Sequence, residues 1–332
     1  MALRSASYNA RLGCRKFIER SKSEVNVINK LKIIVMRFGV RLIAGICWWK
    51  KSPQNVTIET KCIPVSGGEI RARIYTPLGY GPFPVIVYYH GGGFVIGDLD
   101  SHDPLCRDLC VKADRIIVSI EYRLAPENPF PCAPNDCIAA LEWVTTHIEN
   151  LKGNRDAIFV AGDSAGGNLA AVTAIQARDR FPGLLKGQIL LYPVTHHYQN
   201  VTASYIENAK GQGLTRNLMI WFWDQYLPAD ALLNMAESHQ ALATPLAVAN
   251  LTNLPPTLLI TAEKDPLRDE GVDFAHRLSE QGVKVQHTQY KGLQHGFIGT
   301  LGPNESHNQG IAEIVAWLEK LSHIKTEHGS AQ

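Results

Sequence analysis

The sequence predicts an α/β fold, in which a mostly parallel eight-stranded sheet is flanked by helices and carries a helical cap. Three observations predict it. Short apolar runs alternate with stretches that are long enough for a crossover helix, as in parallel sheets. A Gly-x-Ser-x-Gly string at 162–166 stands where one of these runs turns into a helix. The chain has 332 residues, 45% of them hydrophobic, which suffices for one large core.

Each strand is expected from a local pattern. Residues 56–63 and 69–75 alternate weakly around Ser66-Gly67-Gly68, which favours an antiparallel hairpin at the start of the sheet. Six apolar runs are expected to form the remaining, mostly parallel strands: 85–89, 115–120, 157–161, 187–193, 257–261 and 283–290. The Ala-rich segment 168–177 suits a helix that packs closely behind the Gly-x-Ser-x-Gly string.

The Gly-x-Ser-x-Gly string reads Gly162-Asp163-Ser164-Ala165-Gly166. A serine on such an abrupt strand-to-helix turn presents its hydroxyl at the end of a parallel sheet, and the flanking glycines tolerate the strained backbone. The string therefore predicts a nucleophile at Ser164. The same string also occurs in glycine-rich loops without chemistry, so it needs support from other parts of the chain.

A second glycine-rich segment supports this interpretation. His90-Gly91-Gly92-Gly93-Phe94 follows the apolar run 85–89. Acyl transfer needs preorganised backbone N–H groups near the negative oxygen of the tetrahedral intermediate, and glycine lets the chain pass close to a substrate. In hydrolases with this type of serine the second donor segment lies upstream, as it does here.

Two more residues complete a candidate catalytic set. Asp265 follows the run 257–261 at the carboxyl end of a predicted strand, and His295 lies in a turn-rich stretch after the run 283–290. The chain order Ser, Asp, His is typical of α/β-hydrolases and differs from the chymotrypsin and subtilisin orders.

The acid and the base each have alternatives nearby in the sequence. Glu263 and Asp269 are alternative acids for Asp265. His287 is an alternative base, although it falls inside a predicted strand, where side chains rarely face such a site.

Taken together, the motifs resemble those of the hormone-sensitive lipase family of esterases. The likeness spans about residues 55 to 320 and rests on five segments: His90-Gly91-Gly92-Gly93-Phe94, Tyr122-Arg123-Leu124-Ala125-Pro126-Glu127, Gly162-Asp163-Ser164-Ala165-Gly166-Gly167-Asn168-Leu169, Asp265-Pro266-Leu267-Arg268-Asp269-Glu270-Gly271 and His295-Gly296-Phe297. The resemblance implies an α/β-hydrolase fold, with Ser164 as nucleophile, His295 as general base and Asp265 as the acid that orients it. It also implies an oxyanion hole, which would be formed by the backbone amides of Gly92, Gly93 and Ala165.

The resemblance also implies a division of the chain into a core and a cap. The cap would combine the amino-terminal helical segment 1–50 with an insertion at 195–245. The hydrolase core would then comprise residues 51–194 and 246–325.

The cap insertion contains an unusually aromatic segment at 218–223. We expect its Trp221 and Phe222, together with Phe297, to line the acyl pocket. Simple packing of the segment inside the cap is the alternative. Bulky side chains in the pocket favour short acyl esters over long triglycerides.

The first fifty residues carry a surplus of positive charge. They contain eleven Lys and Arg against Glu19 and Glu24, a net +9, whereas the whole chain has a net +2, so residues 51–332 sum to −7. Lys and Arg interrupt the apolar stretch 31–49, so we expect no integral membrane segment.

Three of these cations form a stripe on a predicted helix. At 100° per residue, Lys30, Arg37 and Arg41 fall within about 40° of one another. We expect the apolar face of the helix to pack over the active site as part of a lid, with the basic stripe in water. A location on a membrane surface is the alternative.

Composition argues against several other classes of function. The small net charge gives no field suited to nucleic acid, and no Gly-x-Gly-x-x-Gly or P-loop string is present, so we expect no cofactor. The cysteines are odd in number and scattered, which fits a reducing compartment and predicts a cytoplasmic protein; they are Cys14, Cys47, Cys62, Cys106, Cys110, Cys132 and Cys137. Cys106 and Cys110 have no second Cys or His pair with matching spacing, so we expect no metal site.

The sequence therefore predicts a serine carboxylic ester hydrolase that acts on short acyl esters through a Ser-His-Asp triad and an acyl-enzyme intermediate. A catalytically silent ligand-binding protein of the same fold is one alternative, but the mark of such proteins is loss of the triad histidine, whereas His295 is present. Amides or acetylated sugars are alternative substrates, because the triad fixes carbonyl chemistry and not the leaving group. A homodimer through the last strand is common in the resembling family, and the sequence leaves it open.

Overall fold

Eight strands form one sheet in the part of the chain that the structure, a computed structural model, describes: residues 27–211, 213–299 and 302–328. The strands are β1 (Val56–Val65), β2 (Gly68–Pro77), β3 (Phe83–Tyr89), β4 (Ile116–Glu121), β5 (Gly153–Asp163), β6 (Leu185–Leu191), β7 (Thr257–Lys264) and β8 (Val285–Gln294). Across the sheet they follow the order β1-β2-β4-β3-β5-β6-β7-β8.

Strand pairing follows the pattern expected from the sequence. β1 and β2 form the predicted antiparallel hairpin, in which Val65 pairs with Gly68. β2 is also antiparallel to β4, while all other neighbouring strands are parallel. The prediction of a mostly parallel eight-stranded sheet is therefore confirmed. The parallel strands bring their carboxyl ends to one edge, which is where ligands bind in sheets of this kind.

Helices cover both faces of the sheet. They are α1 (27–47), α2 (Leu99–Ala113), α3 (Cys132–Thr146), α4 (Ala165–Arg180), α5 (Ala203–Glu207), α6 (Arg216–Tyr226), α7 (Ala229–Leu233), α8 (Glu237–Gln240), α9 (Arg268–Glu280) and α10 (Glu305–His328). Apolar residues of α2 and α10 form the core on one face, and those of α3, α4 and α9 form the core on the other.

Helix α4 packs directly behind the centre of the sheet, as the Ala-rich segment predicts. Twelve of its sixteen residues are buried. A Cβ placed on Gly166 would lie 1.9 Å from the carbonyl oxygen of Tyr89, so only glycine allows the helix to come this close to β3. This contact fixes the position of the turn that precedes the helix.

Helix α1 differs from the expectation in where its arginines lie and in having a second apolar face. Arg37 donates hydrogen bonds to both carboxylate oxygens of Glu127, at 3.0 and 2.8 Å, and Arg41 donates to Asp98. Two cations of the basic stripe therefore bind the rest of the molecule, because long arginine side chains reach these carboxylates. A broad apolar face points to solvent, from Val27 (65% exposed) to Trp49 (70% exposed). The expectation that the basic stripe lies in water is therefore wrong for Arg37 and Arg41, whereas part of the apolar face of the helix, with Met36, Val40 and Ile43, does line the cavity beside Ser164.

None of the cysteines in the described residues forms a disulfide bond. Cys47, Cys62, Cys106, Cys110, Cys132 and Cys137 are all free thiols, and Cys14 lies outside the described residues. Burial raises the pKa of the Cys110 thiol to about 12, so it is uncharged. No helix in the described ranges has both the length and the hydropathy to cross a bilayer.

Candidate active site

Ser164 lies on the turn between β5 and α4. Its backbone has φ 56° and ψ −118°, a conformation that residues other than glycine rarely adopt. The flanking glycines make the turn possible, since a Cβ on Gly162 would lie 2.3 Å from the carbonyl oxygen of Gly166. The turn presents the Ser164 hydroxyl at the carboxyl edge of the sheet.

Two hydrogen bonds connect Ser164, His295 and Asp265. The Nε2 atom of His295 lies 2.9 Å from Ser164 Oγ, and its Nδ1 atom lies 2.6 Å from Asp265 Oδ2. Because a carboxylate oxygen accepts, the shared proton is assigned to Nδ1, and Nε2 then accepts from the serine hydroxyl. The three residues follow or close β5, β7 and β8, so the fold joins groups up to 131 residues apart in the chain.

Packing holds Asp265 and His295 in this arrangement. Asp265 is fully buried, and its second carboxylate oxygen accepts a hydrogen bond from the Leu267 amide at 2.9 Å. The ring of Tyr192 contacts the His295 ring edge-on, with centroids 4.8 Å apart. Fixed neighbours of this kind preorganise an imidazole for proton transfer.

The alternative acids and base have other partners. Glu263 accepts from the Gly292 amide, and Asp269 accepts from the Ser204 amide at 2.7 Å. His287 lies within β8, with its Nε2 atom 3.0 Å from Thr261 Oγ1. None of these three residues forms a hydrogen bond with His295 or Ser164. The geometry therefore favours Asp265 as the acid and His295 as the base.

The glycine-rich loop 90–94 lies against the serine turn. Gly92 and Gly93 have φ values of 120° and 60°, and a Cβ on Gly93 would lie 2.2 Å from the ring of Phe222. Side chains are therefore excluded at this point of the loop. Among the described residues, the backbone amides of Gly92, Gly93 and Ala165 donate to no acceptor, so these N–H groups are available to a bound oxygen.

Asp163 connects the serine turn to the glycine-rich loop. Its Oδ1 atom accepts from the Gly91 amide at 2.9 Å and from the Tyr88 hydroxyl at 2.7 Å, and His102 Nε2 lies 3.5 Å away. Burial alone would raise the pKa of Asp163, but the His102 charge and the Tyr88 hydrogen bond outweigh burial and lower this pKa. Burial likewise opposes the charge on His102, but Asp163 raises the pKa of its imidazole. Both pKa shifts favour an ionised pair.

A cavity of about 260 Å³ lies beside Ser164 and His295. Side chains of α1 and α6 form its apolar wall, together with the loops around residues 91–97 and 213–214; the wall includes Met36, Val40, Ile43, Ile96, Leu214, Leu218 and Phe222. Because the wall is mostly apolar and the polar groups converge at one end, the cavity suits a small apolar ligand with one reactive polar group.

Only one of the three aromatic residues expected in the acyl pocket lies in this wall. Phe222 does, but Trp221 and Phe297 do not. Consecutive helical residues point about 100° apart, so Trp221 faces α1, where its Nε1 donates to Asn29 at 3.0 Å. Phe297 is buried and packs against the ring of Tyr290, with centroids 4.8 Å apart. These contacts correct the expectation for Trp221 and Phe297.

Sequence reasoning missed His102, which lines the cavity and faces Asp163. A single histidine in the first turn of a helix carries no recognisable pattern, and only its closeness in sequence to the glycine-rich loop could have pointed to it. The described residues contain no cluster of three or more His, Cys, Asp or Glu arranged for a metal ion.

Comparisons with known proteins place these features in context. Residues 86–299 match the model of a protein family that is described as having the alpha/beta hydrolase fold. The chain is 42% identical over 248 residues to carboxylesterase NlhH of Mycobacterium tuberculosis, covering 74% of this chain and 76% of that protein. It is 34% identical over 285 residues to ethyl acetate hydrolase of Pseudomonas putida, with coverages of 84% and 86%. A solved hyperthermophilic esterase of Pyrobaculum calidifontis has a TM-score of 0.81 and 41% identity, over 87% of this chain and 94% of that one.

Proposed function

The chain belongs to the α/β-hydrolase fold family, in its hormone-sensitive-lipase-like branch, and we propose that it is a serine carboxylesterase that hydrolyses short acyl esters. One observation carries this proposal: the row of hydrogen bonds from Asp265 through His295 to Ser164, which ends beside an apolar cavity. Similarity to named carboxylesterases supports ester hydrolysis as the reaction class. Ser164, His295 and Asp265 would supply the nucleophile, the base and the acid for this reaction.

In the first half-reaction Ser164 Oγ attacks the ester carbonyl carbon. His295 Nε2 takes the hydroxyl proton as the new C–O bond forms. Asp265 holds the Nδ1 proton and stabilises the imidazolium by its negative charge. The tetrahedral intermediate then collapses, the C–O bond to the alcohol breaks, and His295 returns its proton to the leaving alkoxide. The product is an acyl ester on Ser164 and a free alcohol.

In the second half-reaction water takes the place of the alcohol. His295 removes a proton from the water as its oxygen attacks the acyl carbon, and a second tetrahedral intermediate forms. Its collapse releases the carboxylic acid and returns the proton to Ser164 Oγ. Each intermediate carries a negative oxygen, which the amides of Gly92, Gly93 and Ala165 stabilise. A single donor of this type is worth about 3 kcal/mol in the transition state.

The size of the cavity supports a short acyl chain. Its volume of about 260 Å³ lies below the range of roughly 300–1,000 Å³ that is usual for small-molecule sites. Phe222 packs directly on Gly93 and limits the cavity near the serine. Similarity to an ethyl acetate hydrolase, whose substrate carries an acetyl group, points the same way.

A series of p-nitrophenyl esters from about two to about sixteen acyl carbons tests this specificity. We expect kcat/KM to be highest for the short esters and to fall as the chain outgrows the cavity. A rate that rises toward the longest ester would overturn the short-acyl assignment. Labelling of Ser164 by a fluorophosphonate probe tests the nucleophile itself, because a silent binding protein would not react.

The proposal also includes a cap, a cellular location and an oligomeric state. The helices of 27–47 and of the 195–245 insertion act as a cap, and hydrogen bonds between Asn29 and Gln225 (2.6 Å) and between Trp221 and Asn29 support this role. A cytoplasmic location is the second of these. A homodimer through β8, which lies at an edge of the sheet, is the third.

A further inference from the structure

Helix α1 carries a continuous exposed apolar stripe. Fifteen large hydrophobic side chains are exposed among the described residues, and ten of them lie within 27–49. These ten form the α1 stripe: Val27, Ile28, Leu31, Ile34, Val35, Phe38, Leu42, Ile43, Ile46 and Trp49, each 47% to 70% exposed. Nine of them lie on α1, where their spacings place them along one broad side of the helix, and Trp49 follows just after the helix ends.

The opposite side of α1 is apolar as well. Ile33, Ala44 and Trp48 are buried against the rest of the molecule, and Met36 and Val40 line the cavity. A helix that is apolar on both sides is normally covered on both sides. The α1 stripe is therefore a contiguous apolar patch of the kind that marks an interaction site. The other exposed apolar residues are scattered and do not form such a patch.

Ion pairs fix which side of α1 faces outward. Arg37 binds Glu127 and also donates to the carbonyl oxygens of Val95 (2.9 Å) and Ala125 (3.1 Å). Arg41 binds Asp98, which caps α2. These contacts hold the buried side against the rest of the molecule, so the stripe faces outward.

Charge distinguishes between the partners that such a surface could take. The first fifty residues have a net charge of +9, and the other residues sum to −7. Residues 27–50 carry five Lys and Arg and no Asp or Glu, and Arg37 and Arg41 are paired with carboxylates, which leaves Lys30, Lys32 and Lys50 as net positive charge, so two copies that met through α1 would bring like charges together. An anionic lipid surface has the opposite charge, and exposed Lys30, Lys32 and Lys50 lie on or next to the helix.

We propose that the α1 stripe inserts into the surface of an anionic lipid bilayer, with the helix lying parallel to the membrane plane. Apolar side chains enter the boundary between headgroups and acyl chains, while the cations contact lipid phosphates. Ile43 belongs both to the stripe and to the cavity wall, so the docked enzyme has its cavity next to the lipid surface. Docking of this kind is independent of the ester chemistry.

Cosedimentation of the full chain with lipid vesicles tests the proposal. Vesicles of phosphatidylcholine with about one third phosphatidylglycerol are compared with vesicles of pure phosphatidylcholine. Anionic headgroups should raise the binding affinity roughly tenfold for each one or two cations that approach the surface. The stripe variant is Leu31→Gln with Phe38→Gln. The matched control is Leu78→Gln with Leu233→Gln, two side chains of similar exposure (66% and 72%) that do not belong to the α1 stripe.

We expect the wild type and the control to bind anionic vesicles alike, and the stripe variant to bind at least ~10-fold more weakly, because two apolar side chains no longer enter the lipid. Turnover of a soluble short ester and an unchanged Tm show that both variants are folded. Trp49 gives a second measurement that does not depend on the double variant: its emission, taken as the difference between the wild type and Trp49→Phe, shifts to the blue on addition of anionic vesicles.

The proposal is overturned if the wild type ignores anionic vesicles, if the stripe variant binds them as well as the control does, or if Trp49 emission does not change. A dimer in gel filtration that the stripe variant dissociates, with no vesicle binding, would assign the stripe to a second copy instead.

Discussion

The carboxylate of Asp163 accepts a hydrogen bond from the backbone amide of Gly91 at 2.9 Å. This single bond joins the turn that bears Ser164 to the loop that bears Gly92 and Gly93. The two segments that must approach one carbonyl group are thereby held at a fixed separation. Stabilisation of a developing oxyanion depends on such fixed donors, because their orientation is then set before the reaction begins.

Removal of this link should slow the chemical step. In Asp163→Ala the Gly91 amide and the Tyr88 hydroxyl lose their acceptor, so the loop amides move relative to Ser164. We expect kcat to fall by about 10- to 100-fold, with a smaller change in KM. Asp163→Asn keeps one acceptor oxygen and should lose less. Wild-type kcat in Asp163→Ala, measured by steady-state kinetics on a short ester, would exclude the link as a catalytic support.

Phe222 should set the limit on acyl chain length. It packs on Gly93 in the cavity wall, so Phe222→Ala enlarges the cavity near the serine. We expect the optimum of kcat/KM in the acyl series to move toward longer chains, by about 10-fold for the favoured long ester relative to acetate. Trp221→Ala, the neighbouring substitution outside the wall, serves as the control and should leave the optimum in place. Equal shifts in both variants would contradict this role of Phe222.

The sequence predicts the fold well, since the strand pattern depends on local chemistry, and it names the three residues that hydrogen bonds join in the structure. The strand pattern, the turn at 162–166 and the order of Ser164, Asp265 and His295 can all be recognised without coordinates. The partners of the basic stripe on α1 cannot, because cations on an apolar helix fit water and nearby carboxylates equally well. The partners Glu127 and Asp98 lie 90 and 57 residues away from Arg37 and Arg41, and nothing in the sequence joins them.

The acyl pocket shows the same limit at the level of single side chains. The aromatic run at 218–223 marks a helix near the site, but which ring enters the cavity depends on how α6 is rotated against α1 and the glycine loop. His102 could not be recognised either, because one histidine without a spacing pattern gives no signal in the sequence. Both features are set by tertiary packing.

Arg37 should couple the position of α1 to substrate binding. It holds α1 against the rest of the molecule, and α1 supplies part of the cavity wall. We expect Arg37→Ala to raise KM by about 3- to 10-fold with a smaller change in kcat, and to lower Tm by a few degrees. Arg71→Ala removes an exposed pair with Glu121 and is the matched control, since such surface pairs contribute roughly 0–1 kcal/mol. Identical KM values for the two variants would show that α1 does not depend on this anchor.

Glu270 should make stability depend on pH. This buried carboxyl accepts from the backbone amides of Thr195 (2.7 Å) and His196 (3.2 Å) at the start of the cap insertion. Burial raises its pKa to about 8, against the opposing effect of these hydrogen bonds. A group whose pKa is higher in the folded protein stabilises it fully below the unfolded-state pKa, about 4.3, and this stabilisation is lost as the pH rises through about 8.

Glu270→Gln removes this titration while keeping an acceptor oxygen for Thr195. We therefore expect the Tm of the variant, relative to the wild type, to increase steadily from about pH 5 to about pH 9. Glu237→Gln, at an exposed glutamate of the same insertion, should follow the wild type at every pH. A Tm difference between Glu270→Gln and wild type that stays constant over this range would contradict the raised pKa.

The most direct test of the account is a kinetic comparison of Ser164→Ala, His295→Ala and the double variant on a short acyl ester. Because the hydroxyl and the imidazole act in one proton transfer, each single substitution should lower kcat/KM by about 10³-fold or more, and the double variant should lose little further. Near wild-type turnover in either single variant, or losses that multiply in the double variant, would contradict catalysis by the row of hydrogen bonds that joins Ser164, His295 and Asp265.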